Sequence, residues 1–471
     1  MSGQSKQQDA RLRETVLHRA LGTGGAAAFV VSSMVGTGIF TVPAFVRSAT
    51  GSSLAALSVW IVGASLALAG AFCYAELATR MPRAGGEYQY LTNVYGRMWG
   101  FVSGWISFFA GFAAPTAASA LGVVAYSAVL FPGWDPNAPL MAGWDITQGS
   151  AIAAAITLVM AIVHCLGVRP SGRLQTILAA TAIGSIVLFV LIGFASGRGN
   201  WQGITQSSPG QKDLGMWWVA LIQVSFAYTG WNAAAYLAGE VKDPRRTLPR
   251  ALVGGTMVVV LLYLALNLLF FYALPADAWK SEIAVGQITA EHLFGPIGAK
   301  VLSVIVSIII LGSISAWTAS GPRVYFAMAC DGVAPAFFHR LGKHGAPVVG
   351  TMLQAVAAAI MALSGAFGTL LTFVGSGLLL FSGFTIAAVY FARRKNITHS
   401  PDYFRVPGYP VTPAIFILMV IVSWVQSLRE QPIPTGAALL TIIAGMVIYY
   451  VARAFGFLVE QPIPQPSEGN L

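Results

Sequence analysis

Charge is scarce in this sequence: 9% of its 471 residues are Asp, Glu, Lys or Arg, against about 25% in soluble domains. That scarcity excludes a water-soluble globular chain. Cysteine is scarcer still. Cys73, Cys165 and Cys330 lie far apart and form no CxxC, so neither a metal site nor a disulfide framework is expected. His, Cys and acidic residues are too dispersed to bring a nucleophile to a base or to build a ligand set. This argues against an enzyme and gives no cofactor. No Lys, Asp or Glu falls near the middle of any long apolar segment, so no built-in proton relay is expected. The first 23 residues are polar and basic and carry no cleavable signal pattern. The net charge of +10 is spread over short loops, which leaves no patch for nucleic acid.

What is abundant is apolar sequence: 56% of residues and a mean hydropathy of +0.71. Repeated runs of about 20 apolar residues, without an alternating pattern, predict an all-α polytopic membrane protein rather than a barrel. Twelve transmembrane helices are expected, at about 24–49, 53–79, 98–130, 149–166, 175–196, 215–238, 251–274, 299–328, 347–364, 367–391, 411–428 and 435–457. On this assignment 21 of the 27 Lys and Arg residues lie on one side. The positive-inside rule makes that side cytoplasmic, with both termini there and the chain in the cytoplasmic membrane. His164 then falls at a cytoplasmic helix end and reads as a helix-end residue rather than a proton carrier.

Gly36-Thr37-Gly38-Ile39-Phe40 sits in the middle of the first span. Glycine weakens a helix by about 1 kcal/mol relative to alanine, so two glycines here need a reason. One reason is close packing of neighbouring helices. The other is a break in the helix, which frees N–H and C=O groups at membrane depth, where they are tolerated only at a cavity or a ligand. The sixth span repeats the oddity, with Thr229-Gly230 at mid-membrane inside Phe226-Ala227-Tyr228-Thr229-Gly230-Trp231-Asn232. Spans one and six are an odd number apart, so they cross in opposite directions. Interrupted helices at corresponding places of two halves mark the binding site of a transporter built from two five-helix inverted repeats.

At these residues the chain resembles the amino acid–polyamine–organocation superfamily of transporters, within it the bacterial relatives of the L-type amino acid transporters. The motifs that carry the resemblance are Gly36–Phe40, Pro82-Arg83-Ala84-Gly85-Gly86-Glu87-Tyr88, Phe226–Asn232, Glu240-Val241-Lys242-Asp243-Pro244-Arg245-Arg246-Thr247-Leu248-Pro249 and Phe404-Arg405-Val406-Pro407-Gly408-Tyr409-Pro410. It covers about residues 20 to 457. The resemblance implies a leucine-transporter-like fold with helices 1 and 6 discontinuous. Residues 1–23 form a cytoplasmic tail, 24–197 the first repeat, 198–391 the second, 392–457 two peripheral spans and 458–471 a second tail.

The implied function is secondary transport of an amino acid by alternating access. The substrate carboxylate is expected at the N–H groups of Thr37 and Gly38 and the Thr37 hydroxyl, with Gly36 and Ile39 beside them. Its ammonium is expected at the C=O groups of Met34, Val35, Phe226 and Thr229, with Ala227, Tyr228 and Gly230 completing the pocket. The helix dipole argues the same way, since N-terminal ends favour an anion and C-terminal ends a cation. By position Phe226 resembles the aromatic that closes over the substrate. No fixed charge lines the pocket and a second substrate charge would be buried unpaired, so a neutral L-amino acid is expected. A polyamine or cationic amino acid carrier, or a non-transporting receptor of the same fold, is the alternative.

The chain departs from the family at Ala182, where many relatives carry a lysine whose ammonium stands in for a sodium ion. This leaves uniport or exchange, a proton taken at Glu76 or another peripheral acid, or a sodium ion on neutral oxygens. For the last, Ser33, Val35, Ser313 and Ser315 are the candidates, although such serines commonly bond to their own helix. Arg80 and Glu87 are expected either to form a cytoplasmic gate with the Arg83–Glu87 loop or to be solvated charges at a turn. The partners expected are substrate and membrane lipid. No protein partner is evident.

Overall fold

The structure, a computed structural model, describes residue 19 and residues 21–141, 143, 145–165, 172–205, 214–275, 278–279, 284–342, 347–365, 367–398 and 402–458. The loop after the fourth span, the two chain ends and Lys212 lie outside these residues.

The helices in chain order are α1 (Thr23–Met34), α2 (Thr37–Thr50), α3 (Ser53–Arg80), α4 (Glu87–Tyr95), α5 (Arg97–Ile106), α6 (Ala114–Ala128), α7 (Gln148–Cys165), α8 (Gly172–Ala195), α9 (Gln202–Thr205), α10 (Leu214–Ala227), α11 (Ala233–Tyr236), α12 (Pro244–Ala273), α13 (Val285–Cys330), α14 (Val348–Leu363), α15 (Phe367–Arg394), α16 (Val411–Glu430) and α17 (Pro432–Ala454). A π-helical stretch, Ser107–Ala113, joins α5 to α6. Among the described residues nine helices are long and apolar enough to cross a membrane, and α1 with α2 make a tenth as a pair bent by 40°. α10 and α14 are shorter apolar helices. The chain is a multi-pass membrane protein.

Local chemistry sets the helix ends. Gly51 takes the left-handed conformation that closes α2, and the Ser52 hydroxyl caps α3 by accepting from the Ala55 N–H at 3.1 Å. Pro244 opens α12, where its missing N–H costs nothing. α13 begins earlier than its hydropathy suggests. Gly295 (φ 78°) bends it and Pro296 restarts it, so a helical stretch precedes the span expected from 299.

Burial separates core from periphery. In the apolar stretch of α5–α6, 78% of residues are buried, against 28% in α16 and in α17. Leu418 and Leu440 are more than half exposed, which suits side chains that meet lipid rather than water. The broken helices lie in the core side by side. α1 packs against α11, and α2 packs against α10. First half therefore meets second half in both directions, so the two run antiparallel. α12 packs along α1 and α3, while α13 and α14 pack on α6 and α7.

The glycine pair starts a short helix, α4, at Glu87, and this helix is packed inside the protein. Glu87, Tyr88, Gln89, Tyr90, Leu91, Thr92 and Val94 are all buried. The helix is wedged under α5 and α15.

Candidate functional site

Both glycine stretches break their helices, and the breaks touch. α1 stops at Met34, Val35 turns into the extended region (φ −77°, ψ 94°), and α2 restarts at Thr37. α10 stops at Ala227, and Gly230 adopts φ +110° before α11 begins. A Cβ on Gly230 would lie 2.7 Å from the backbone carbon of Ser33, and one on Gly38 would lie 2.5 Å from the Cα of Ala227. A Cβ on Gly36 would meet the Ser313 hydroxyl at 2.7 Å. The glycines thus serve the break and the packing together, the two reasons the sequence left open.

Beside the breaks lies an empty space of about 260 Å³ lined by Ser33, Met34, Gly36, Thr37, Gly38, Pro115, Ser119, Phe226, Ala227, Thr229, Ser313 and Trp317. No charged side chain is among them. The hydroxyls of Ser33 and Thr37 are buried and have no hydrogen-bond partner. A buried hydroxyl without a protein partner is open to one from a water or a ligand. The first turn of α2 adds backbone N–H groups that no helical carbonyl can satisfy. Gly122 makes room for Thr37, since a Cβ there would sit 2.3 Å from the Thr37 methyl.

Several expected residues are placed elsewhere. Ile39 is buried in α2 and does not line this space. Tyr228 faces the other way, packed between Trp60 and Tyr263. It lines a larger empty space of about 600 Å³ with Gly63, Leu66, Asn232, Tyr236 and Leu378. Thr229 and Trp317 form the wall between the two spaces. Val35 points to a third, lined also by Ser32, Thr181, Ala182 and Gly312. Ala182 therefore lies directly behind the break of the first span.

The four ion-site residues are divided. Ser313 adjoins Gly36, but the Ser315 hydroxyl is 3.0 Å from His164 Nε2. His164 is a helix-end residue, in the last turn of α7, and it is buried as a hydrogen-bonding partner of α13.

Arg80 and Glu87 are both buried, which overturns the solvated-charge reading, and neither pairs with the other. Arg80 bonds Glu76 at 3.0 Å and stacks on Tyr403. Glu76 also takes Arg393 at 2.6 Å and the Val406 N–H at 2.9 Å. The Phe404–Pro410 motif is thereby latched to α3. Glu87 accepts from the Tyr74 hydroxyl and from Asn232 Nδ2, the latter at 3.0 Å. Burial pushes its carboxyl up to about 7, and the two hydrogen bonds hold it from going higher.

Tyr263 of α12 escaped the sequence reading. Its hydroxyl lies 2.5 Å from the Met34 carbonyl oxygen and 3.2 Å from that of Ala227. These are the C-terminal ends of α1 and α10. One phenolic proton serves both, so Tyr263 ties the two first halves together. The Phe226 carbonyl also has a donor, the Thr229 N–H at 2.9 Å. Each such oxygen keeps a second lone pair. A tyrosine in the middle of an apolar span was the available signal.

Contacts also join the helices beyond either end of the first span's break. At the end near Phe40, the Tyr126 hydroxyl donates to the Phe40 carbonyl at 2.7 Å and accepts from the Gly286 N–H at 3.1 Å. At the other, Leu21 exchanges backbone hydrogen bonds with Glu240 and Lys242. There Arg323 pairs with Glu240 at 2.6 Å, and Tyr88 donates to Asp331 at 2.7 Å.

Comparison with known proteins places the chain among amino acid permeases. A family model described as amino acid permease matches residues 21–449. The chain is 29% identical over 445 residues to the serine/threonine exchanger SteT of Bacillus subtilis (strain 168), covering 92% of this chain and 97% of the relative. It is 28% identical over 442 residues to the large neutral amino acids transporter small subunit 2 of Homo sapiens, covering 92% and 80%. It is 26% identical over 445 residues to the Asc-type amino acid transporter 1 of Mus musculus, covering 92% and 81%.

Proposed function

The chain belongs to the amino acid permease family of the amino acid–polyamine–organocation superfamily, and from that premise we propose that it carries a neutral L-amino acid across the cytoplasmic membrane by alternating access. The observation that carries the reading is the pair of orphaned buried hydroxyls, Ser33 and Thr37, at a charge-free space between two broken helices. The α-carboxylate binds the Thr37 and Gly38 N–H groups and the Thr37 hydroxyl, where the dipole of α2 is positive. The ammonium binds carbonyls at the ends of α1 and α10, where the dipoles are negative. A charged substrate side chain would have no partner there. The names of the relatives, which include a serine/threonine exchanger and a large neutral amino acid transporter, support a neutral substrate.

The twelve-span, five-plus-five topology accounts for the antiparallel broken helices. Spans 1, 2, 6 and 7 form one body and spans 3, 4, 8 and 9 the other, in keeping with the packing of α12 on α1 and α3 and of α13 and α14 on α6 and α7. Both termini are cytoplasmic, and the Leu21 end of the site opens to the cytoplasm. Phe226 and Trp317 cover the substrate. Ser33 and Ser313, near Gly36, remain the neutral oxygens for a coupling sodium ion.

Thermal unfolding of the purified protein with a panel of amino acids tests this. A ligand at 100 times its Kd stabilises by about 2.7 kcal/mol. Neutral amino acids should raise the midpoint, while their methyl esters and N-acetyl forms should not. Stabilisation by polyamines or dibasic amino acids alone would overturn the neutral pocket.

A further inference from the structure

Two acidic side chains are fully buried among the described residues, Glu76 and Glu87. Glu76 is neutralised by Arg80 and Arg393. Glu87 has no cation in ion-pair contact, and its Oε2 has no hydrogen-bond partner. The titratable groups that face it are phenols: Tyr74 from α3, Tyr90 from its own helix and Tyr236 from α11. Asn232, at the start of α11, and Thr385 of α15, through Tyr74, complete the surroundings. A carboxylate buried without a cation is strongly disfavoured relative to its neutral form.

The place of Glu87 gives this a consequence. It joins α4 to the second half of a broken helix through Asn232, whose side chain lines the larger space together with Tyr236. In the proposed transport cycle, opening this end parts Asn232 from Glu87 and admits water.

We infer that Glu87 is a proton-binding site that locks this end of the transporter: protonated when α4 and α11 are closed, ionised when they open. On opening, the carboxyl O–H breaks, the proton passes to water on that side and the electron pair stays on the carboxylate. On closing the carboxylate takes a proton back from the same side. The role rests on the transport reading.

The sign follows from linkage. The closed carboxyl titrates near 7, raised from an ordinary value near 4.5. Closed-state stabilisation is therefore complete below about pH 4.5 and is lost as pH rises to about 7, by up to tenfold in population per unit. Above that it is flat.

The test is exchange of labelled serine in oriented proteoliposomes, with pH varied from 5 to 8 on one side at a time. Exchange should rise at least tenfold between pH 5 and pH 7 on the α4 side, level off above, and ignore pH on the other side. Glu87→Gln should give a flat profile at the acid level. Tyr74→Phe removes a bond that lowers the carboxyl's proton affinity, so its rise should shift to higher pH, an effect mere loss of packing would not produce. A flat parent profile, or an unchanged rise in Glu87→Gln, overturns the proposal. If no amino acid is exchanged at any pH, the transport reading fails. Infrared titration of the parent against Glu87→Gln then decides the site alone. A neutral carboxyl that ionises near pH 7 supports it, and one ionised throughout overturns it.

Discussion

A methyl group on Gly38 would lie 2.5 Å from the Cα of Ala227 and 2.9 Å from its Cβ. The restarted half of the first span and the end of α10 are in backbone contact, and no side chain fits between them. Overpacking of this kind costs about 1–3 kcal/mol. Gly38→Ala should therefore lower stability by about that amount and weaken substrate binding, and Gly38→Leu should abolish binding. Gly24→Ala, with nothing within 4 Å of the added carbon, is the control and should bind normally. Isothermal titration of the three variants measures this.

Tyr263→Phe keeps the ring against Trp60 and Tyr228 and removes the hydroxyl that bridges the Met34 and Ala227 carbonyls. A buried group left without its partner costs about 1–3 kcal/mol. The expected result is a raised KM with a smaller change in kcat, since the substrate must then order two half-helices that Tyr263 had tied. Equal losses in kcat and kcat/KM would place the hydroxyl in the transport step instead.

Ala182 and Ser32, Val35 and Gly312 surround an empty space behind the first break. Ala182→Lys should place an ammonium there. Any sodium-stimulated part of uptake in the parent should disappear in the variant. Stimulation that survives the substitution would put the ion elsewhere.

Glu76 accepts from Arg80, from Arg393 and from the Val406 N–H. Removing one member of a buried charge network costs about 3–5 kcal/mol. Glu76→Gln should therefore lower the unfolding temperature markedly and loosen the Phe404–Pro410 loop, which a protease-protection assay would detect. Glu87→Gln, with no cation to abandon, should cost far less.

The glycines show how much was legible beforehand. Gly36, Gly38 and Gly230 stood out because they are expensive inside apolar helices, and that cost located both breaks. The antiparallel crossing followed from counting spans. What the sequence hid depended on distances between elements. Arg80 turns to Glu76, one helical turn before it on α3, a spacing that was legible in the sequence, whereas the gate reading set it beside Glu87 across the connector. Ser315 was a candidate for the same ion site as Ser313, but residues two apart point to different sides of a helix, and His164 takes the second. Tyr263 looked like one aromatic among many. Its role appears only when the ends of α1 and α10 are seen to converge on it.

The central claim is that the two breaks bind and move an amino acid, and counterflow in proteoliposomes tests it most directly. Vesicles holding the purified protein and loaded with unlabelled serine would be diluted into labelled serine, beside vesicles holding Gly38→Leu. The account predicts accumulation in the first, competed by other neutral amino acids and not by arginine or glutamate, and none in the second. Accumulation by Gly38→Leu equal to that of the parent would contradict it.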